Sequence, residues 1–216
     1  MWGGYRLRDV LSEDDSTVVS TTELGDEASI LFTSGSTGPA KGVRYTHEIF
    51  GAQIRELHHM YGLQAGEIDL PCFPLFGLFT LALGATVVIP DMDPTKPAKA
   101  DPVLLLEAMR DQGVTTSFAS PALWTRFAQY CVEHSIQLPQ LNRVLSAGAP
   151  VSPHIHRCFN QILDSAEVHT PYGATECLPI ATISSNEVLE DTVHKTIRGA
   201  GTCLLYTSPS PRDTMS

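Results

Sequence analysis

The stretch that decides the fold is residues 33–43, which read TSGSTGPAKGV. It directly follows an apolar, strand-like run that begins at Ala28. Its glycines let the backbone turn several N–H groups toward one point, where a phosphate oxygen can sit. Four hydroxyl groups and one ammonium group add further donors. The candidate phosphate-binding residues are Thr33, Ser34, Gly35, Ser36, Thr37, Gly38, Lys41 and Gly42. The stretch therefore predicts a loop that binds a polyphosphate.

A Walker A loop and a flexible linker both fit residues 33–43 less well. A Walker A loop requires G-x-x-x-x-G-K-[ST], whereas Lys41 is followed by Gly42, and G-x-G-x-x-G does not occur either. This spacing disfavours a kinase or P-loop NTPase. A flexible Ser/Gly linker is the structural alternative, but a linker seldom follows an apolar strand directly and ends just before a capped helix.

Outward from the loop, strand and helix patterns alternate. Strands are predicted at residues 28–33, 68–73, 86–89, 115–119, 143–146 and 167–171, and helices from His47 and over residues 75–83. Three more helices are predicted where an N-cap residue precedes a proline, at Asp101, Ser120 and Ser152. Such alternation predicts an α/β fold, a mostly parallel sheet with helices on both faces. Ligands of such sheets bind at the carboxyl ends of the strands.

Residues 70–90 carry no charged side chain and are long enough to test as a membrane span, which needs about 20 residues. Prolines and glycines interrupt this stretch at Pro71, Pro74, Gly77, Gly84 and Pro90. These breakers predict a buried strand–helix–strand unit instead of a transmembrane span.

Composition narrows the function classes. The 216 residues are 43% hydrophobic and carry a net charge of −10, which disfavours a nucleic-acid partner. The five cysteines are widely spaced without a C-x-x-C pair, which is typical of free thiols in a reducing compartment. No apolar h-region follows Met1. We therefore expect a cytoplasmic protein; its oligomeric state is left open.

Three segments, in this order, resemble the AMP-dependent synthetase and ligase family of adenylate-forming enzymes. Residues 33–43 resemble the family signature T-S-G-S-T-G-x-P-K-G-V, except that Ala40 replaces the usual proline and Pro39 precedes it. Residues 146–152, SAGAPVS, are similar to the segment beside the adenine, and residues 172–176, YGATE, to the Y-G-x-T-E motif. YGATE alone fits any strand-to-loop turn; the order of all three segments makes it specific.

The resemblance implies ATP-dependent adenylation of a small-molecule carboxylic acid to acyl-AMP and pyrophosphate, with ATP and Mg²⁺ as cofactors. It implies that Lys41, Thr175 and Glu176 are catalytic, with Glu176 also holding the metal. The implied nucleotide-binding residues outside the phosphate loop are Gly148, Ala149, Pro150, Tyr172 and Gly173. Coenzyme A is a candidate second substrate.

The acid itself is less well determined by the sequence. Residues 73–79, FPLFGLF, stand where many acyl-CoA synthetases carry a P-x-F-H pattern, with Gly77 in place of the histidine. They suit either an acyl pocket or the core of a buried helix. Residues 38–47 resemble the olefin β-lactone synthetase branch, which implies a long-chain fatty or β-hydroxy fatty acid. A fatty acyl-CoA ligase and an inactive truncated chain are the alternatives.

The chain divides into three parts by composition and resemblance. We expect an acidic leader at residues 1–25 and a partial AMP-binding domain, part of a large N-terminal domain, at residues 26–202. Residues 203–216 are polar and rich in proline, and they resemble a translated sequencing adapter. We interpret them as a non-native tail and exclude them from fold reasoning.

Overall fold

The computed structural model describes residues 21–32, 41–164 and 166–198. Its first elements are strand β1 (Glu27–Phe32) and strand β2 (Gly42–Thr46), which pair antiparallel as a separate two-stranded sheet. Residues 33–40 of the phosphate loop join these strands and lie outside the described residues. The first predicted strand, residues 28–33, thus corresponds to β1 of this hairpin and is not part of the mostly parallel sheet. Strand β1 pairs with its sequence neighbour because the chain returns at once as β2.

Within the described residues, the main sheet has six strands. They are β3 (Ile68–Pro71), β4 (Thr86–Val87), β5 (Thr116–Ala119), β6 (Arg143–Ser146), β7 (Glu167–Ala174) and β8 (Cys177–Ser184). Their spatial order is β4-β3-β5-β6-β7-β8, and every neighbouring pair is parallel except β7 and β8. The predicted α/β fold with a mostly parallel sheet is confirmed.

In the part of the chain that the structure describes, five helices and a helical end segment accompany the strands. They are α1 (His47–Tyr61), α2 (Gly77–Ala82), α3 (Pro102–Asp111), α4 (Pro121–Glu133) and α5 (Pro153–Ile162), with short turns at Pro74–Phe76 and Pro97–Lys99. The end segment comprises α6 (Ser185–Glu187), a π-helical turn (Val188–Thr192) and α7 (Val193–Ile197). Residues 70–90 thus form strand, helix and strand, as predicted. No helix in the described ranges is both long and apolar enough to cross a membrane.

Alternate residues of the central strands pack into two apolar layers, one on each face of the sheet, because successive side chains of a strand point to opposite faces. Val144 of β6 packs into the larger core with Trp124 and Phe159, whose rings meet edge to face at 5.2 Å. The next residue, Leu145, packs on the other face with Tyr61 at the end of α1. Helices therefore cover both faces of the sheet, as the sequence predicts.

The predicted helix starts are correct, but two of the predicted side-chain caps are wrong. The side chain of Asp101 accepts a hydrogen bond from the Val103 amide at 2.9 Å, and Thr46 caps α1. Neither Ser120 nor Ser152 makes such a bond. In both cases the third amide of the helix, the usual donor to a cap side chain, bonds at 3.1 Å to the serine's own carbonyl oxygen.

The far edge of the sheet differs most from prediction. Strand β7 runs to Ala174 instead of stopping at residue 171, and the unpredicted strand β8 pairs with it. Proline is tolerated in β8 at Pro179 because this strand lies at the sheet edge. The YGATE segment is therefore the end of one strand and a tight turn into the next.

Candidate functional site

The hairpin of β1 and β2 presents the one end of the phosphate loop that the structure describes. Lys41 lies immediately before β2 with an exposed side chain, and Gly42 is the first residue of that strand. A Cβ atom on Gly42 would lie 2.8 Å from Cγ2 of Ile30 across the hairpin. The other predicted loop residues, Thr33, Ser34, Gly35, Ser36, Thr37 and Gly38, lie outside the described residues.

The turn between β7 and β8 presents the YGATE segment. Tyr172 is 58% exposed, so its side chain is accessible to a flat ligand. Thr175 and Glu176 form the turn, and the Glu176 side chain is exposed. A Cβ atom on Gly173 would lie 2.8 Å from the Cys177 carbonyl oxygen and 2.5 Å from the Leu178 side chain. Glycine is therefore required where the two strands approach each other here.

The third predicted segment leaves the sheet beside this turn. Strand β6 ends at Ser146, and Gly148, Ala149 and Pro150 follow as exposed loop residues. Gly148 has a φ of +92°, which side-chain-bearing residues rarely adopt. Strands β6 and β7 are parallel neighbours. The loop after β6 therefore leaves the sheet at the same end as the carboxyl end of β7, where Tyr172 lies.

A buried tyrosine brings the hairpin and the YGATE turn together. The hydroxyl of Tyr45, in β2, donates a hydrogen bond to the backbone carbonyl oxygen of Thr175. Gln53 of α1 donates from Nε2 to the same hydroxyl at 3.0 Å. Sequence reasoning missed Tyr45. A large side chain with a polar tip, four residues after Lys41, was its only local signal.

The apolar stretch at residues 73–79 is divided between surface and interior. Phe73 and Leu78 are 46% and 47% exposed, whereas Phe79 is buried. Phe76 and Phe79 face a cavity of about 30 Å³ between α1, α2 and the sheet. The cavity is lined by Leu57, Leu63, Asp69, Phe76, Phe79, Thr80, Thr116, Phe118 and Leu145. It combines an aromatic wall with three polar side chains at one end.

Asp69 is the ionisable group of this cavity. Burial raises the pKa of Asp69 to about 6, opposed by a hydrogen bond that Thr80 Oγ1 donates to its Oδ2 at 2.7 Å. The charge on Glu67 raises the pKa further, and that on Arg143 lowers it. Glu67 and Arg143 themselves form a mostly buried ion pair at 2.7 Å. Asp69 therefore changes its charge close to neutral pH.

The thiol that directly follows β3 is poorly suited to act as a nucleophile. Cys72 is buried, and burial raises its pKa to about 12, so the thiol stays protonated at neutral pH. Cys131 and Cys158 are also unpaired and buried, and Cys177 is unpaired and exposed. A covalent step through the Cys72 thiolate is therefore disfavoured.

Comparison with known proteins identifies the family. A profile of the AMP-binding enzyme family matches residues 6–209. The chain belongs to the AMP-binding enzyme family.

Two curated relatives of this AMP-binding chain are olefin beta-lactone synthetases. The chain is 48% identical over 206 residues to the one from Stenotrophomonas maltophilia and 47% identical to the one from Xanthomonas campestris pv. campestris. Each comparison covers 94% of this chain and 36% of the relative. The chain thus spans about a third of the length of these relatives.

Solved structures agree on the fold. O-succinylbenzoate coenzyme A synthetase from Bacillus subtilis, in complex with AMP, matches with a TM-score of 0.64 at 23% identity, covering 78% of this chain and 34% of that one. VinN with L-aspartate matches with a TM-score of 0.67 at 21% identity, covering 81% of this chain and 44% of that one. At these identities the comparison establishes the architecture alone.

Proposed function

We propose that the protein containing this chain adenylates a carboxylic acid with ATP, releasing pyrophosphate. One observation carries the proposal: Tyr45 hydrogen-bonds to Thr175 and so brings the strand that begins beside Lys41 against the turn that contains Glu176. A cation is thereby brought toward a carboxylate and an exposed aromatic ring that lie about 130 residues further along the sequence, in one strand-end turn. ATP needs this combination, because it has a charged polyphosphate, a bound metal and a flat base.

Each group has a role in this proposal. Lys41 and the hydroxyls and amides of residues 33–38 bind the β- and γ-phosphates. Thr175 contacts the α-phosphate. Tyr172 stacks on adenine beside residues 148–150, and Gly173 allows the close turn. In this assignment Lys41, Thr175 and Glu176 are the catalytic residues.

The turn suits Mg²⁺. Magnesium is usually held by one or two carboxylates together with substrate phosphates, and Glu176 offers one exposed carboxylate there. When bound, the ion neutralises negative charge on the phosphates. Glu176 would hold the ion through its exposed carboxylate, and the ion would supply positive charge beside the phosphates.

The reaction requires no protein nucleophile. A carboxylate oxygen of the acid attacks the α-phosphorus, the bond from that phosphorus to the bridging oxygen breaks, and pyrophosphate leaves with the bond electrons. Catalysis then depends on alignment and on donors aimed at the developing negative charge. Lys41 and the backbone amides of the loop supply those donors.

We propose a long-chain or β-hydroxy fatty acid as substrate, as in a β-lactone synthetase. The likeness to two olefin beta-lactone synthetases supports this assignment. In that reaction the substrate's own hydroxyl displaces AMP and closes the ring. We place the reaction in the cytoplasm, where ATP and Mg²⁺ are supplied.

A fatty acyl-CoA ligase is the second candidate. A medium-chain-fatty-acid–CoA ligase from Ectopseudomonas oleovorans is 25% identical to 80% of this chain. In this alternative the thiol of coenzyme A takes the place of the internal hydroxyl as the group that displaces AMP.

The test uses the full-length protein in which this chain occurs. Pyrophosphate exchange into ATP should depend on a fatty acid and should be lost without Mg²⁺. With a β-hydroxy acid, AMP and a β-lactone should form without coenzyme A. Strict dependence of product on coenzyme A would instead favour the ligase, and absence of acid-dependent exchange with both acid classes would refute adenylation.

A further inference from the structure

The hairpin of β1 and β2 is almost independent of the main sheet. Among the strands that the structure describes, β1 and β2 pair only with each other, and backbone bonds tie the hairpin to the start of α1, from His47 to Asp26 and from Glu48 to Leu24. Within the described ranges, the bond from Tyr45 to Thr175 is the single hydrogen bond between the hairpin and the six-stranded sheet. The position of Lys41 relative to that sheet therefore depends on the packing of α1 and on this one direct hydrogen bond.

That contact is buried and has a defined direction. Tyr45 is 2% exposed and Gln53 is 7% exposed. A tyrosine hydroxyl has one proton to donate, and Gln53 occupies an acceptor position on its oxygen. The Tyr45 proton is thereby directed to the Thr175 carbonyl oxygen, which can only accept. Helix α1, the hairpin and the β7–β8 turn meet at this one oxygen.

The two residues that form this bond are close in sequence to Lys41 on one side and to Glu176 on the other. Tyr45 lies four residues from Lys41 along an extended segment, about 13 Å at roughly 3.3 Å per residue. Thr175 carries the accepting carbonyl itself and is bonded to Glu176. A shift of the hairpin against the turn would therefore separate the phosphate-binding end from the carboxylate.

We propose that Tyr45 is a positioning residue, whose buried hydrogen bond to Thr175 aligns the Lys41 end of the hairpin with the Thr175–Glu176 turn for binding ATP with its metal. The alignment itself is inferred from the contacts within this chain. Its effect on ATP turnover rests on the proposed function. The ring of Tyr45 packs the interior, and the hydroxyl sets the alignment. Tyr45→Phe separates these two contributions because it keeps the ring.

The experiment compares Tyr45→Phe with Tyr61→Phe in the full-length protein. Tyr61 is a matched control, because its hydroxyl is also buried, but the residue lies at the other end of α1, where its ring contacts the ring of His169. In acid-dependent pyrophosphate exchange, Tyr45→Phe should lower kcat/KM for ATP at least tenfold and leave KM for the acid within twofold. Tyr61→Phe should leave both within twofold.

A second readout does not require turnover. Hydrogen–deuterium exchange of the free protein should speed up in residues 42–46 and 172–176 together in Tyr45→Phe, and in neither segment in Tyr61→Phe. Unchanged exchange in both segments would overturn the alignment. Faster exchange with an unchanged kcat/KM for ATP would overturn the role in ATP binding.

The two proposals fail in different ways. If the wild-type protein shows no acid-dependent exchange, adenylation is refuted, while the deuterium measurement still decides whether Tyr45 aligns the hairpin and the turn. If the wild type is active and Tyr45→Phe raises KM for the acid as much as KM for ATP, then Tyr45 has a general structural role and the positioning proposal is wrong.

Discussion

Thr80 donates a hydrogen bond from Oγ1 to Asp69 Oδ2 at 2.7 Å, in a cavity whose wall is mostly apolar. The bond joins α2 to β3 and satisfies one oxygen of a carboxyl group that is 4% exposed. Thr116 lines the same cavity, and its buried Oγ1 has no hydrogen-bond partner in the described part of the chain. An uncharged Asp69 is favoured here, because burial penalises the charged form.

Asp69→Asn should change the pH dependence of stability. The pKa of Asp69 is raised from 3.8 to about 6 in the folded protein. The stability that protonated Asp69 gives to the folded protein is therefore fully present below pH 3.8 and is lost as the pH rises through about 6. The variant cannot ionise, so its unfolding midpoint relative to wild type should rise between pH 4 and pH 8. The free-energy equivalent is about 3 kcal/mol. A midpoint difference that is the same at both pH values would contradict this.

His156→Met should show the opposite dependence. Burial lowers the pKa of His156 from 6.5 to about 4, and both ring nitrogens are buried without a partner in the described residues. The stability that neutral His156 provides is present above pH 6.5 and is lost as the pH falls toward 4. The variant should gain thermal stability relative to wild type from pH 7 to pH 4.5. A loss of relative stability on acidification would show that His156 is not neutral in the fold.

Gly173→Ala should displace the β7–β8 turn. The added Cβ atom would lie 2.8 Å from the Cys177 carbonyl oxygen, which is backbone and cannot rotate away. We expect a loss of about 1–3 kcal/mol in stability and a fall of roughly tenfold or more in pyrophosphate exchange. Gly25→Ala is the matched control, since nothing lies within 4 Å of a Cβ atom there. Equal activity of the two variants would refute the strict need for glycine at position 173.

Lys41→Gln and Glu176→Gln should separate the two charges of the proposed site. Both side chains are exposed, so folding stability should change by less than about 0.5 kcal/mol. Lys41→Gln should lower kcat about a hundredfold, because a charge near the transferring phosphates is lost. Glu176→Gln should raise the Mg²⁺ concentration needed for half-maximal exchange. Lys99→Gln, in the Pro97–Lys99 turn, is the control and should match wild type in both measurements.

Local chemistry in the sequence predicts most of the elements. The proline after Asp101, Ser120 or Ser152 predicts three helix starts correctly, because that position has no intrahelical amide partner. The errors at Ser120 and Ser152 concern a choice within one helical turn. The third amide of the helix bonds to the carbonyl oxygen of the serine and not to its side chain. Strand β8 was missed because its pattern lies directly beside the YGATE motif and its Pro179 is a weak strand signal.

The sequence by itself determined the α/β class, the order of the three motifs and the type of ligand that the glycine and hydroxyl-rich loop suits. These features depend on periodicity, capping and residue chemistry within short segments. Only the tertiary structure decided that the strand after Lys41 belongs to a separate hairpin and that Tyr45 joins it to Thr175, 130 residues away. That pairing depends on how helix α1 and the sheet pack together, so no local pattern contains it.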